Sequence, residues 1–173
     1  QYDMKVLLDI HYSDFWAEPA DQLVPKAWKK DVNNTEKMCS DVYDFTKESI
    51  QKFKDAGANI GMVQVGNEIT NGLLGIYSNR DKGESFNVIW GDKKKSTEVN
   101  KYLKAGIKAV REYTPQALVA LHLETPNVWK YKTIMNTWKR DNVDYDVLGS
   151  SYYPFWSIAA KANTPKTLKD VQT

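Results

Sequence analysis

Asn59-Ile60-Gly61-Met62-Val63-Gln64-Val65-Gly66-Asn67-Glu68 is the stretch on which the fold turns. Its first seven residues form a short, near-continuous apolar run, the signature of a parallel strand covered on both faces. Lys5–Ile10, Leu118–Leu123 and Asp146–Tyr152 read the same way. Segments of helical period lie between these strands. Met38, Val42, Phe45 and Phe53 are predicted on one helix face, with Gly57 as the stop. Val99, Leu103, Ile107 and Val110 define a second helix, capped by Ser96 or Thr97 and ended by Pro115. Val128, Tyr131, Met135 and Trp138 define a third, and Thr164-Pro165 opens a fourth.

The resulting β-α-β-α-β-α-β order implies parallel strands joined by right-handed crossovers. Helix-to-strand connections are short (Ala56–Ala58, Thr114–Gln116), whereas strand-to-helix connections are long, over 11–34 and 67–95. Long loops at the C-terminal strand edge build ligand sites in α/β folds. No G-x-G-x-x-G or G-x-x-x-x-G-K-[ST] follows a strand, so the phosphate-binding doubly wound sheets lose weight. Part of a (β/α)₈ barrel fits better, because such barrels typically run to about 250 residues and four strands are half of one.

Composition narrows the function. The 173 residues include 24 basic and 22 acidic side chains, net charge +2, which argues against a strongly basic nucleic-acid binder. No apolar run reaches the roughly 20 residues of a membrane span. The single cysteine, Cys39, excludes an internal disulfide framework and a Cys-rich zinc site, and two histidines leave little for a His cluster. Cys39 reads as a small buried hydrophobe. The sequence begins Gln1-Tyr2-Asp3 and passes straight into a strand, without a starting Met or signal peptide, so a preceding segment is expected. Asp92-Lys93-Lys94-Lys95 reads as a solvated helix start, and Asn33-Asn34-Thr35 fits the N-x-[ST] glycosylation pattern at Asn33 or otherwise serves as an N-cap segment for the following helix. Gly72, Gly75, Gly83 and Gly91 mark a flexible loop.

The strand ends carry the chemistry. Asn67-Glu68 puts a carboxylate at the mouth of the fold, where partial shielding from water raises its pKa as a general acid requires. Asn67 offers both donor and acceptor to a hydroxyl. His11-Tyr12-Ser13-Asp14-Phe15-Trp16, His122-Leu123-Glu124 and Tyr152-Tyr153-Pro154-Phe155-Trp156 mix aromatic and polar groups at the other strand ends. Sugar rings stack their C–H faces on aromatic rings while their hydroxyls need directional partners, so this repeated mixture suggests a carbohydrate cleft.

Long literal runs carry a resemblance. Val6 through Pro19, reading VLLDIHYSDFWAEP, with Pro25-Lys26-Ala27-Trp28 after it, resembles the third-strand motif of glycoside hydrolase family 53, the endo-β-1,4-galactanases. Val63 through Leu74 resembles the family's fourth-strand segment, and Asp146 through Trp156 its sixth. The resemblance covers essentially the whole chain. A bare Asn-Glu would indicate only the wider barrel clan shared with mannanases and cellulases.

The resemblance implies strands three to six of a (β/α)₈ barrel that cleaves β-1,4-galactan of pectic arabinogalactan with retention. It makes Glu68 the acid/base and Asn67 a sugar contact, with His11, Asp14, Trp16, His122, Glu124, Tyr152 and Trp156 as further substrate-binding residues. The family's nucleophile is a glutamate at the end of the seventh strand, outside these 173 residues, as is a supporting arginine of the second strand. Glu124 and Asp9 are the in-chain candidates for a substitute, Glu124 being better suited to sugar and Asp9 to structure. The segment alone is therefore expected to be inactive. The resemblance also implies no metal or organic cofactor for the chemistry, a secreted protein, and a monomer when complete. A polypeptide that only binds galactan is the alternative from another class.

Overall fold

The computed structural model describes residues 4–157 and 164–172, with the side chains of Trp156 and Ser157 left aside. Four parallel strands form the main sheet: β1 (Val6–Ile10), β2 (Ile60–Val65), β5 (Leu118–Glu124) and β6 (Val147–Ser151), in the order β1-β2-β5-β6. All four expected strands are present, and sequential strands are spatial neighbours. The crossovers are α1 (Thr35–Asp55), α3 (Lys93–Tyr113) and α4 (Val128–Arg140), with α5 (Pro165–Gln172) following β6. The sheet with its helices is part of a (β/α)₈ barrel.

The helical face of the sheet is covered throughout, and on the opposite face Gln64, Ala120 and Glu124 of the two central strands are also buried, as expected for double coverage, while the edge strand β1 is open there. In β1, Leu8 and Ile10 are buried, whereas Leu7 is 52% exposed. Successive strand residues point to opposite faces, so Val63, Val65, Leu121 and Leu123 join Leu8 and Ile10 in the core on the helical side. The opposite face carries Asp9, Gln64, His122 and Ser151 near its C-terminal edge.

Helix boundaries follow their caps. Asn34 accepts from the Lys37 amide at 3.0 Å and starts α1. The α1 core stripe is Met38, Val42, Thr46 and Ile50, four residues apart, and does not run through Phe45 and Phe53, which are 44% and 42% exposed. Phe45 instead packs its ring against Tyr12 and Trp28. The stripe ends at Ile50, and every residue of α1 after it is exposed, so Phe53 lies beyond the part of the helix that the core covers. Asp92, and not Ser96 or Thr97, caps α3, accepting from the amides of Lys94 (2.8 Å) and Lys95 (3.0 Å). Val99, Leu103, Ile107 and Val110 are buried as expected. Thr164 caps α5 by accepting from the Thr167 amide. Cys39 is half-buried.

The 67–95 segment is built rather than loose. It contains a 3-10 turn (Ile69–Asn71), the hairpin β3 (Gly72–Leu73) and β4 (Ile76–Tyr77), and the short α2 (Asn87–Trp90). Leu73, Leu74, Ile89 and Trp90 are buried, and the Trp90 indole donates to the Thr70 carbonyl at 2.6 Å. Gly72 serves close packing: its φ is +127° and an added Cβ would stand 1.9 Å from the Ile76 oxygen.

Candidate active site

At the end of β2 the backbone turns sharply. Gly66 has φ +82°, and Glu68 lies in the left-handed region at φ 48°, ψ 47°. For a non-glycine residue that conformation costs about 1–2 kcal/mol and persists only where neighbours enforce it. Buried Gln22 is the enforcer, its amide donating to the carbonyls of Asn67 (2.9 Å) and Glu68 (3.4 Å). The Asn67 side-chain amide donates to the Ala17 carbonyl at 2.8 Å, and the Glu68 amide donates to His122 Nδ1 at 3.2 Å.

The carboxylate of Glu68 accepts from Ser151 Oγ, and the same hydroxyl lies 2.9 Å from His122 Nε2. Burial pushes the Glu68 pKa upward, and the negative charges of Glu124 and Glu18 add to the rise, against the opposing Ser151 hydrogen bond and the Arg80 charge. Burial lowers the pKa of His122, which favours a neutral imidazole. Below these groups Gln64 donates to Asp9 (2.6 Å), and Asp9 accepts from His11 Nε2 (3.2 Å). His11 Nδ1 accepts from the Ala17 amide at 2.7 Å, which fixes its proton on Nε2.

A cleft of about 380 Å³ opens over this network, lined by His11, Trp16, Glu18, Asn67, Glu68, His122 and Tyr153 among others. Five of the expected residues therefore converge: His11, Trp16, Asn67, Glu68 and His122. Other expected residues are elsewhere. Asp14 accepts from the Lys26 amide at 2.8 Å and borders a separate hollow, because the turn at Lys26–Asp31 needs an acceptor for its first N–H. Glu124 is buried and its carboxylate faces Lys130 at 3.3 Å and Arg80 at 3.9 Å. Tyr152 is half-buried, and its neighbour Tyr153 lines the cleft instead. The Trp156 side chain lies outside the described residues. Gln22, Gln64 and Ser151 were not expected. The polar Gln64 within an apolar strand was the one available signal.

Among the described residues no group of three His, Cys, Asp or Glu could hold a metal ion, and no helix is long and apolar enough to cross a membrane. A half-buried carboxyl group whose pKa is raised by burial thus stands at the C-terminal end of a parallel strand beside an open, aromatic-lipped cleft, the edge at which (β/α) barrels build their sites. The chain belongs to Glycosyl hydrolase family 53, whose sequence profile matches residues 1–173. It is 44% identical over 154 residues to an endo-beta-1,4-galactanase of Bacillus subtilis, covering 88% of this chain and 32% of that protein. It is 31% identical over 175 residues to an arabinogalactan endo-beta-1,4-galactanase of Cellvibrio japonicus, covering 98% of this chain and 43% of that one. Among solved structures, the GH53 catalytic domain of Ignisphaera aggregans superimposes with a TM-score of 0.77 at 29% identity, over 96% of this chain and 41% of that chain. The chain thus spans about a third to under half of the length of these relatives.

Proposed function

We propose that these residues form strands three to six of a retaining endo-β-1,4-galactanase and supply its acid/base. The reading rests on Glu68, a carboxyl group with its pKa raised by burial, at the floor of a cleft lipped by Trp16, in a family 53 chain. Protonated Glu68 gives its proton to the departing glycosidic oxygen while a second carboxylate attacks the anomeric carbon. In this reading that nucleophile comes from the seventh strand. Retention requires the two carboxyl groups about 5–5.5 Å apart. Ionised Glu68 then takes a proton from the water that releases the sugar. Asn67 and Tyr153 present polar atoms to the hydroxyls around the scissile bond, His11 lines the cleft beside them, His122 orients Glu68, and Trp16 stacks on a ring. Glu124, held by Lys130, acts on Glu68 through its charge. The substrate is a wall polymer too large to enter a cell, so the protein acts outside it.

The test is hydrolysis of β-1,4-galactan, mannan and cellulose by the full-length protein that carries these residues. Galactan alone is expected to release reducing ends, and Glu68→Gln to lower the rate by about 10²–10⁴-fold. With an activated aryl galactoside, azide should restore turnover of Glu68→Ala as the β-galactosyl azide. Equal cleavage of mannan, or a Glu68→Gln variant with normal rate, overturns the reading.

A further inference from the structure

His122 Nδ1 faces one acceptor and two donors that cannot all be satisfied, the more distant donor being the Gln64 side-chain amide at 3.4 Å. Asn67 Oδ1, an acceptor, lies 2.7 Å away, and the Glu68 backbone N–H, a donor, lies 3.2 Å away. Rotating the Asn67 amide does not resolve the conflict. Its nitrogen donates to the Ala17 carbonyl, and its oxygen accepts from Gln64 at 3.2 Å. Gln64 in turn is oriented by donating to Asp9. A flip would set carbonyl against carbonyl and amide against amide. At the other ring nitrogen, Ser151 Oγ touches both His122 Nε2 and Glu68 Oε1 with a single proton to give.

Two arrangements follow, each of which satisfies the Ser151 side in full and leaves one group at Nδ1 without its His122 partner: the Glu68 amide when Nδ1 carries the proton, Asn67 Oδ1 when it does not. With the proton on Nδ1, His122 donates to Asn67, Nε2 accepts from the Ser151 hydroxyl, and the Ser151 oxygen can then accept only from a protonated Glu68. With the proton on Nε2, His122 donates to Ser151, the Ser151 hydroxyl turns to the Glu68 carboxylate, and Nδ1 accepts the Glu68 amide. We infer that His122 and Ser151 form a tautomer switch in which the Nδ1–H imidazole holds Glu68 as the acid and the Nε2–H imidazole holds it as the carboxylate. The inference deepens the acid/base reading of Glu68 and rests on it.

Protons balance. When Glu68 passes its proton to the leaving oxygen, the Ser151 hydroxyl rotates toward the new carboxylate. The proton on Nδ1 is released to water and Nε2 takes one up from water, so the imidazole stays neutral before and after and solvent gains and loses one proton. Burial, which disfavours the imidazolium, supports this. The charged groups facing the switch are Asp9 and His11 from the β1 side, Glu18 and Arg80 from the loops, Glu124 from β5 itself and Lys130 from α4. His122 and Ser151 are positioning residues, acting through Glu68.

The test is a pH titration of the ¹⁵N-histidine-labelled protein, reading the imidazole nitrogens while the Glu68 carboxyl carbon reports its ionisation. His122 is assigned by the signal lost in His122→Gln or, if that variant does not fold, by the signal lost in His122→Asn. The pyrrole-type and pyridine-type nitrogen shifts are expected to exchange places as Glu68 titrates. Glu68→Gln, which can donate to Ser151 at every pH, should hold the Nδ1–H form throughout. Ser151→Ala should uncouple the tautomer from Glu68, and Ser151→Thr should restore the coupling. One tautomer persisting through the Glu68 titration, or switching that survives in Glu68→Gln, overturns the inference. No galactan is present, so a failure here is separate from a failure of the hydrolysis test, which bears on the proposed reaction alone.

Discussion

A Cβ added to Gly106 would stand 2.5 Å from the hydroxyl oxygen of Tyr12, and 2.9 Å from Val65 Cγ1. Gly106 lies within α3, where glycine costs about 1 kcal/mol relative to alanine, so its presence reflects packing and not propensity. It lets α3 approach β2 closely enough to enclose the Tyr12 ring, whose hydroxyl bonds Thr46 of α1 at 2.7 Å. Gly106→Ala should therefore destabilise the fold despite the gain in helix propensity, the overpacking costing about 1–3 kcal/mol. Tyr12→Phe removes the obstructing oxygen at a cost of about 1 kcal/mol for the hydrogen bond. Urea unfolding of the single and double variants checks this. The double variant should be more stable than the sum of the two effects, and strict additivity would refute the contact.

The α3–α4 junction should set the acid sensitivity. The Arg140 guanidinium beside Asp141 holds its carboxyl well below the usual carboxylate range, helped by the amide of Asn100 at 2.8 Å. A carboxyl whose folded pKa is depressed adds stability above its unfolded value of about 3.9 and loses it as pH falls through the folded value. Asp141→Asn should lower the urea midpoint at pH 6, the solvent-screened pair and its Asn100 hydrogen bond contributing about 1 kcal/mol, and the gap to the native protein should shrink below pH 3.

The strand-helix alternation and Glu68 are legible in the sequence because both follow from local pattern. Apolar runs four to seven residues long and helical spacing of Val99, Leu103, Ile107 and Val110 need no partner to be read. What Glu68 touches is a different matter. Ser151 reaches it because the parallel register sets Ser151 beside Glu124 on β5, and a shift of one residue would turn Ser151 away. Asp14 and Glu124 read as sugar contacts by type and position. Each is taken by a partner that only tertiary structure supplies, the Lys26 amide for one and Lys130 for the other. Gln22 carries no signal at all, because its role is to donate to the carbonyls of a strained turn distant in sequence.

Gln22 should control both stability and turnover. Its amide donates to the carbonyls of Glu18, Asn67 and Glu68, pinning the loop after β1 to the turn after β2. Gln22→Leu keeps comparable bulk and leaves buried carbonyls unpaired, at about 1–3 kcal/mol. The left-handed turn then loses its restraint, so kcat on galactan should fall more than KM rises. An unchanged kcat would show that Glu68 is held by other contacts.

Trp16 is 73% exposed and meets Phe15 edge-on at 6.0 Å, so its ring is presented to the cleft without supporting the core. Trp16→Ala should leave the melting temperature unchanged. Titration with galacto-oligosaccharides should show an affinity weaker by about 2- to 10-fold, the size of one aromatic contact of about 0.5–1.5 kcal/mol. Equal affinity would place the polysaccharide away from this lip.

Glu68 should be a liability to the fold at neutral pH. Burial, reinforced by Glu124 and Glu18, raises its folded pKa above the unfolded value. A group shifted upward favours the folded state below its unfolded pKa, about 4.3 for glutamate, and that stability is lost as pH rises through the folded value. The native protein should therefore lose stability on this account between about pH 4 and the end of the Glu68 titration. Glu68→Gln carries no charge to desolvate and can still bond Ser151. It should raise the melting temperature by a few degrees at pH 7 and 8, with the difference closing toward pH 4. Unfolding scans across that range decide it. A variant less stable than the native protein at pH 8 would mean that the Ser151 hydrogen bond to the carboxylate outweighs the burial that makes Glu68 an acid.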